Sequence, residues 1–229
     1  MNGEKRVRVL TAMSGGVDSS VAALLLKQEG YDNIGVTLKL FSGEDSTEDF
    51  RGEKACCSLE SVEAARSVAN RLHMPFYVFN FSGDFRREVM DRFVETYKSG
   101  GTPNPCISCN RYVKLGRLFL RAAEIGCEYV ATGHYARVEH DSGSGRRLLK
   151  KGIDEDKDQS YFLYNLSQDQ LSHLLLPLGG LTKPQVRQLA EESGFINARR
   201  QESQDICFVP DEDYAGVIER YTGASPEPG

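Results

Sequence analysis

The strongest constraint on the fold is the alternation of short apolar runs with helical patterns along the first 132 residues. Four of these runs have the composition of buried strands: Val7–Met13, Ile34–Leu40, Phe76–Phe81 and Tyr129–Thr132. Their alternation with helical patterns predicts βαβ units, and therefore an α/β fold with a doubly wound, mainly parallel sheet. Ligands bind such sheets beyond the carboxyl ends of the strands, so motifs at those positions are the candidates for a site.

The second part of the chain follows a different pattern and predicts a smaller helical region. Thr182 and Gln185 have the spacing of a capping box at the start of one helix. Residues 135–139 and 147–151 predict a hairpin, and residues 42–54 and 100–110 predict loops. We therefore divide the chain into an α/β domain at residues 1–155, a helical region at 156–221 that carries Cys207, and a linker tail at 222–229.

Charge and hydropathy exclude several classes of protein. The 229 residues include 28 Lys and Arg against 33 Asp and Glu, a net charge of −5. This balance argues against a wholly basic nucleic-acid coat protein but allows a local basic face. No apolar run approaches the roughly 20 residues of a membrane-spanning helix, and the first strand-like run starts too early to follow a signal peptide. We expect a soluble, cytoplasmic chain without membrane contact.

The cysteines are the residues most capable of chemistry. There are six of them, Cys56, Cys57, Cys106, Cys109, Cys127 and Cys207. In a cytoplasmic chain they are not expected to form a static disulfide framework, and clustered cysteines there bind metal or take part in reactions. Cys127 lies between a predicted helix end and a strand, which is a position typical of a buried, inert thiol.

The segment from Ala12 to Ser20 follows the first predicted strand and opens the first predicted helix. Its glycines allow a tight turn and close approach of a ligand, and the helix amino terminus favours a phosphate group. An ordinary strand-to-helix turn is the alternative for a bare Gly-Gly pair, but the full string Ser-Gly-Gly-Val-Asp-Ser-Ser is more specific. The segment lacks the Lys-Ser/Thr ending of a Walker A loop.

This string resembles the PP-loop of ATP pyrophosphatases, which split ATP into AMP and pyrophosphate while they adenylate a substrate oxygen. Five further motifs occur in order, and they lie at 56–58, 102–110, 131–135, 157–161 and 203–208. Together they closely resemble the bacterial tRNA 2-thiouridylase (MnmA) family, from about Val7 to Tyr221. The resemblance implies ATP-dependent 2-thiolation of the wobble uridine, position 34, of tRNA. Family members continue into β-rich C-terminal domains, and by the resemblance we expect these 229 residues to correspond to the catalytic domain.

The resemblance assigns the nucleotide site to the PP-loop and to the ends of the second and fourth strands. The implied ATP-binding residues are Ala12, Met13, Ser14, Gly15, Gly16, Val17, Asp18, Ser19, Leu38 and Gly133. Asp18 is the implied catalytic residue that positions ATP and its Mg²⁺. As a loop side chain it should be replaceable without loss of the fold. All three segments lie at carboxyl ends of predicted strands, in agreement with the expected position of a ligand.

The resemblance also implies that sulfur is transferred by two cysteines. It makes Cys207 the persulfide carrier and Cys109 its partner nucleophile, with a transient disulfide between them. The two lie 98 positions apart, so only the fold can bring them together. Because a thiolate is the reactive species, we expect both in partly exposed, electropositive surroundings. Arg111 and the pair Arg199–Arg200 are the candidate sources of positive charge.

Cys106 departs from the commonest family pattern, in which an aspartate follows Asn-Pro. The change creates Cys106-x-x-Cys109, a spacing found in redox dithiols, in zinc sites and in iron–sulfur sites. Cys106, Cys109 and Cys207 could hold three corners of a [4Fe–4S] cluster, as in related PP-loop thiolation enzymes. The cluster and the persulfide are both open at this stage.

Two groups of residues are candidates for contact with RNA. Cations recur every three or four residues after Cys109, at Arg111, Lys114, Arg117 and Arg121, and should share one helix face. This face fits a solvated amphipathic helix as well as a phosphate-binding stripe. By resemblance, Asn104, Pro105 and Cys106 contact the target base, and Lys157, Asp158 and Gln159 contact the tRNA.

The implied partners are a tRNA with a wobble uridine and a sulfur donor, which is either a protein or sulfide. We expect the chain to be a monomer. A PP-loop ligase that forms amides is one alternative, but it leaves Cys109 and Cys207 without a role. A fragment that binds ATP or tRNA without turnover is the other. Retained activity after replacement of both cysteines by serine would favour the ligase.

Overall fold

A computed structural model of the chain describes residues 6–40, 58–200, 206–209 and 212–223. The predicted loop at 42–54, Cys56, Cys57, residues 203–205 and residues 224–229 of the predicted tail lie outside the described residues. Seven strands are described, and they are β1 (Arg8–Ala12), β2 (Asp32–Lys39), β3 (Phe76–Asn80), β4 (Tyr129–Ala131), β5 (Ala136–His140), β6 (Arg147–Lys151) and β7 (Leu174–Leu175).

Nine α-helices lie in the same ranges. They are α1 (Val17–Gln28), α2 (Leu59–Arg71), α3 (Ser82–Phe85), α4 (Asp91–Lys98), α5 (Pro105–Ser108), α6 (Gly116–Glu124), α7 (Gln168–Ser172), α8 (Lys183–Glu192) and α9 (Tyr214–Thr222). π-helical segments at Arg86–Met90 and Cys109–Lys114 connect α3 to α4 and follow α5. Short 3₁₀ turns lie at Glu155–Lys157, Ser160–Leu163 and Pro177–Gly180.

The central sheet has five parallel strands in the order β3-β2-β1-β4-β7. The four strands predicted from the sequence are confirmed, each within two residues at its ends. The chain moves outward from β1 to β2 and β3 and returns to β4 on the other side of β1. This reversal opens a crevice at the carboxyl ends of β1 and β4, where doubly wound sheets bind ligands.

Helices cover both faces of the sheet, because successive side chains of a buried strand point to opposite sides. On β1, Val9 packs in a cluster with Leu26 of α1, whereas Leu10 packs with Leu118 of α6. Helices α2 and α8 share a further cluster with α1. The predicted α/β, doubly wound architecture is therefore confirmed.

The predicted hairpin is the antiparallel pair β5–β6, in which Ala136 is opposite Lys151. The sequence pattern missed β7, whose two residues are too short for any periodicity. β7 pairs with β4, and α8 packs on α1, so residues on both sides of 155 contribute to the same sheet and its helical layer. The division of the chain into separate units stays a prediction. None of the helices in the described ranges has the length and apolar character needed to cross a membrane.

Candidate active site

A cavity of about 190 Å³ lies at the carboxyl ends of β1, β2 and β4, at the reversal point of the sheet. Fourteen residues line it, and they are Ala12, Met13, Ser14, Asp18, Ser19, Val36, Thr37, Leu38, Leu40, Lys114, Thr132, Gly133, His134 and Gln159. Seven of these belong to the ten residues predicted to bind ATP. The other three, Gly15, Gly16 and Val17, lie in the connection from β1 to the start of α1 and are not among the lining residues.

Hydroxyl groups fix the shape of the loop between β1 and α1. The Ser19 hydroxyl accepts a hydrogen bond from the Ser14 amide at 3.1 Å and donates to the Gly16 carbonyl at 3.0 Å. The side-chain amide of the buried Asn197 donates to the Gly15 carbonyl at 2.8 Å. Gly16 caps α1 without a side-chain hydrogen bond, so the amides of the first turn keep their capacity to bind an anion.

Two glycines allow backbones to approach each other closely around this loop. Gly15 has φ +79°, and a Cβ there would overlap the Ser61 carbonyl of α2. A Cβ at Gly133 would lie 2.8 Å from the Asp18 carbonyl carbon and the Ser19 amide nitrogen. Any side chain at either position would push α1 away from its neighbours, because both contacts are with backbone atoms.

Asp18 is held in an ion pair that the sequence does not indicate. Lys183 Nζ donates to both carboxylate oxygens of Asp18, at 2.7 and 2.8 Å, and the Tyr135 hydroxyl donates to Oδ1 at 2.7 Å. The Lys183 side chain is 9% exposed and that of Asp18 is 29% exposed. The expectation that Asp18 is a loop side chain is therefore wrong, since it lies in the first turn of α1 and neutralises a buried lysine.

His134 provides a neutral polar group in the wall of the cavity. Burial, and then the neighbouring Lys114 ammonium, lower the pKa of His134 to about 3. Its Nδ1 and the Thr132 hydroxyl are 2.8 Å apart and share a hydrogen bond. At neutral pH the imidazole therefore carries no charge, and Lys114 is the cationic side chain of the lining.

Gln159 and Asp158, both predicted to contact tRNA, have partners within the chain. The Tyr135 amide donates to Gln159 Oε1 at 3.1 Å, and Gln159 lines the cavity. Burial alone would raise the pKa of Asp158, but hydrogen bonds from Ser160 and from the Gly152 amide outweigh it and lower that pKa. Both residues thus order the segment between the hairpin and the 3₁₀ turn Ser160–Leu163.

Cys109 and Cys207 meet in one apolar cluster despite their separation in the sequence. Cys109 is 5% exposed within this cluster, and the partly buried Cys207 packs against it. Leu40 belongs to the cluster and Leu38 packs on it, and both leucines also line the cavity. The expected partial exposure therefore applies to Cys207 but not to Cys109. We name this group, with its aromatic members, the cysteine cluster.

The predicted sources of positive charge have partners of their own. Arg199 pairs with Glu191 at 3.1 Å, and Arg200 donates to the Ser61 hydroxyl at 3.1 Å. Arg111 lies over the Tyr112 ring, 4.9 Å from its centroid. Cys127 has the predicted character of an inert thiol, because burial raises its pKa to about 11.

The described residues do not fit the predicted [4Fe–4S] cluster. Within them, no group of three or more His, Cys, Asp or Glu side chains is placed to hold a metal ion. Cys106 lies on α5, one turn before Cys109, and is not among the members of the cysteine cluster. An iron–sulfur cluster with one open iron needs three converging thiolates.

The segment before Cys109 has a clear local structure. Asn104 caps α5, since its side chain accepts from the Ile107 amide at 3.3 Å, and the buried Pro105 occupies the first helical position. The partly exposed Cys106 follows, and its backbone carbonyl accepts from the side-chain amide of the buried Asn110 at 3.0 Å. Of the three residues predicted to contact the base, Asn104 is exposed and Pro105 serves the helix start.

The predicted basic stripe is not one face of a continuous helix. The π-helical segment Cys109–Lys114 takes an extra residue per turn, and α6 begins only at Gly116. Residues before and after Leu115 therefore lose the common face that the spacing predicts. Lys114 lines the cavity, whereas Arg117 pairs with Asp84 at 2.5 Å.

Comparisons with known proteins agree with this arrangement. The tRNA methyl transferase HUP domain family matches residues 7–211. The tRNA-specific 2-thiouridylase MnmA of Clostridioides difficile is 51% identical over 97% of this chain and 61% of its own length. That of Lachnoclostridium phytofermentans is 53% identical over 97% of this chain and 62% of its own length. The chain thus spans about three fifths of the length of these curated relatives.

A solved structure shares the fold at low sequence identity. The crystal structure of a 4-thiouridine synthetase–RNA complex with bound ATP superposes with a TM-score of 0.56 at 16% identity, over 95% of this chain and 52% of that one. The family match covers most of the chain, and the motifs that carry the resemblance lie in the matched region. The chain therefore belongs to the tRNA methyl transferase HUP domain family, and its resemblance to the bacterial tRNA 2-thiouridylases is confirmed.

Proposed function

We propose that this chain catalyses the ATP-dependent 2-thiolation of uridine 34 in tRNA, by adenylation of the C2 oxygen and sulfur transfer through Cys109 and Cys207. One observation carries the proposal: Leu38 and Leu40 form a wall shared by the cavity at the phosphate loop and the cysteine cluster. Adenylation and sulfur transfer need adjoining sites, because the activated base must meet sulfur before water reaches it.

The cavity offers complementary groups for ATP. The amides at the start of α1 and the Lys114 ammonium would meet phosphate oxygens. Val36, Leu38 and the neutral His134 give another part of the lining an uncharged character that suits a purine. Pyrophosphate leaves when the C2 oxygen is adenylated, and AMP leaves when sulfur displaces it.

Asp18 is the residue that would hold Mg²⁺. This ion keeps several waters and binds through one or two carboxylates together with substrate phosphates, so a single aspartate beside a phosphate site fits it. When bound, the ion would neutralise phosphate charge. Lys183 donates hydrogen bonds to both carboxylate oxygens of Asp18 and so fixes the orientation of this group in the cavity wall.

The sulfur step fits a persulfide better than a metal cluster. The terminal sulfur of a Cys207 persulfide attacks C2 of the adenylated uridine, and AMP leaves with the original oxygen. The Cys109 thiolate then attacks the Cys207 sulfur, which breaks its bond to the transferred sulfur and leaves 2-thiouridine. A Cys109–Cys207 disulfide remains, and a two-electron thiol reductant restores the pair. The presence of Cys109 in the cysteine cluster, and of Cys207 packed against the same cluster, supports this order.

The remaining parts of the proposal concern partners and organisation. The chain acts in the cytoplasm as a monomer and receives persulfide sulfur from a donor protein or sulfur from sulfide. Sulfide loads Cys207 by attack on the Cys109–Cys207 disulfide, which forms the Cys207 persulfide and releases the Cys109 thiolate without a reductant. Asn104, Pro105 and Cys106 contact the target base, while Lys157, Asp158 and Gln159 contact the tRNA. Residues 1–155 serve ATP binding and catalysis, residues 156–221 serve tRNA contact and carry the catalytic Cys207, and residues 222–229 serve as a linker.

A turnover assay tests the proposed reaction. We expect a tRNA with uridine 34 to yield one 2-thiouridine for each AMP and pyrophosphate released, when ATP, a persulfide donor and a thiol reductant are present. The matched substrate with cytidine 34 should release neither product. Amide formation from ammonia, or product formation without loss of ATP, would contradict the proposal, and the first result would favour the amide-forming ligase.

Lys114 and Arg117, the two cations on either side of Leu115, should differ in their effects on ATP binding. Replacement of Lys114 by alanine should raise the KM for ATP by about tenfold, because a charge-assisted hydrogen bond to phosphate is lost. Arg117→Ala should leave that KM unchanged, since its guanidinium pairs with Asp84. Initial rates against ATP concentration provide the measurement. Equal effects of the two replacements would show that both belong to one phosphate-binding stripe after all.

A further inference from the structure

Two exposed tyrosines next to the site have no structural role that would explain them. Tyr161 is 62% exposed and Tyr164 is 64% exposed, and neither hydroxyl has a hydrogen-bond partner among the described residues. Only one other tyrosine in the described ranges, Tyr77, is comparably exposed, at 54%. Two large rings that stay in water forgo the free energy of burying their apolar surface. Such a pair beside a candidate active site is typical of a ligand-binding surface.

The two rings form a platform on a turn that is firmly anchored. Their centroids lie 6.1 Å apart with planes inclined by 33°. The fully buried Leu163 fixes the 3₁₀ turn Ser160–Leu163 in the core, and the Phe162 amide donates to the Gln159 carbonyl at 3.0 Å. Because residues three apart eclipse each other in a 3₁₀ turn, Tyr161 and Tyr164 face the same side.

The platform adjoins both halves of the proposed reaction site. Helix α5, which carries Cys106, and the π-helical segment that begins at Cys109 both pack against the turn. Gln159, immediately before the turn, lines the cavity. Strand β6 also packs against the turn and carries the exposed Lys151, whose charge helps to lower the pKa of Asp158. An exposed aromatic pair with a cation on a neighbouring strand fits a nucleobase and its phosphate.

We propose that Tyr161 and Tyr164 stack on an unpaired base of the anticodon loop and hold it beside the reactive uridine. The proposal rests on the proposed function, because it takes the anticodon loop as the substrate. A base that must leave its stack to react loses its stacking partners, and aromatic side chains replace them without sequence preference. The platform would therefore supply affinity, while contacts nearer Cys106 would supply selection.

Loss of either ring should weaken RNA binding. For a labelled anticodon stem-loop with uridine 34, we expect Tyr161→Ala and Tyr164→Ala each to raise the Kd about tenfold. Tyr161→Phe and Tyr164→Phe should bind as the wild type does, because they keep the ring. Tyr77→Ala, which removes an equally exposed ring from the edge strand β3, is the matched control and should change nothing. The salt dependence should be the same in all variants, since stacking neutralises no phosphate.

A direct probe follows from the composition of the chain. It contains no tryptophan, so Tyr161→Trp introduces a single indole whose emission should be quenched when the stem-loop binds. Unchanged affinity of the alanine variants, or unquenched emission from an RNA complex, would overturn the platform. If the wild type still makes 2-thiouridine in that case, the proposed function stands. If the wild type binds no stem-loop and makes no 2-thiouridine, both proposals fail together.

Discussion

Replacement of Asp18 by alanine should stop pyrophosphate release and also destabilise the fold. The catalytic effect follows from loss of the one carboxylate among the described residues that line the cavity. The effect on stability follows from Lys183, whose side chain is 9% exposed and would lose both of its hydrogen bonds to the Asp18 carboxylate. Breaking a buried ion pair by removing one member costs about 3 kcal/mol of the free energy of unfolding. Chemical denaturation and pyrophosphate release from ATP in the presence of tRNA measure the two effects.

A double variant separates the two roles of Asp18. Asp18→Ala combined with Lys183→Met removes both charges and keeps most of the buried volume. It should recover much of the lost free energy of unfolding, because two directly paired residues are not additive. It should not recover pyrophosphate release, since the carboxylate is still absent. Release at the wild-type rate by the single variant would remove Asp18 from the mechanism, and unchanged stability would show that the ion pair contributes little.

The sheet could be predicted from the sequence because its information is local. Each of the first four strands is a short apolar run between helical patterns, and the parallel order follows from the alternation. The strand β7 could not be predicted, because Leu174 and Leu175 are indistinguishable from two residues in a helical apolar face. They become a strand only because β4 presents an unpaired edge to them.

The site could be predicted where its residues belong to family motifs at the ends of predicted strands. The phosphate loop, Leu38 and Gly133 lie at strand ends, and the topology brings these ends together. Lys183 is 165 positions from Asp18, and nothing in its surroundings in the sequence indicates that its ammonium is buried. Lys114 was placed on the wrong face because the periodicity assumes 3.6 residues per turn, whereas the segment Cys109–Lys114 is π-helical.

The cysteines carry the second large effect. Cys109→Ser and Cys207→Ser should each reduce 2-thiouridine formation by roughly three orders of magnitude, because a serine hydroxyl neither carries a persulfide nor attacks one. Cys127→Ser is the matched control and should keep most of the activity. Its thiol has a pKa raised by burial to about 11 and packs in the cluster under α6, away from the cysteine cluster.

Cys106→Asp distinguishes the persulfide from the iron–sulfur mechanism. In the persulfide route Cys106 is neither carrier nor nucleophile, so this variant should keep substantial activity and contain no iron. The position tolerates a polar side chain, because Cys106 is partly exposed at the start of α5 and the bond from Asn110 goes to its backbone carbonyl, which the substitution keeps. In the cluster route the same change removes one of three iron ligands, and a cluster held by two thiolates is lost.

Purification without oxygen, followed by iron and sulfide analysis and the thiolation assay, measures iron content and activity on the same sample. Joint loss of iron and activity in Cys106→Asp would contradict the persulfide route, and it would mean that the three thiols converge in the working enzyme although the described residues do not bring them together.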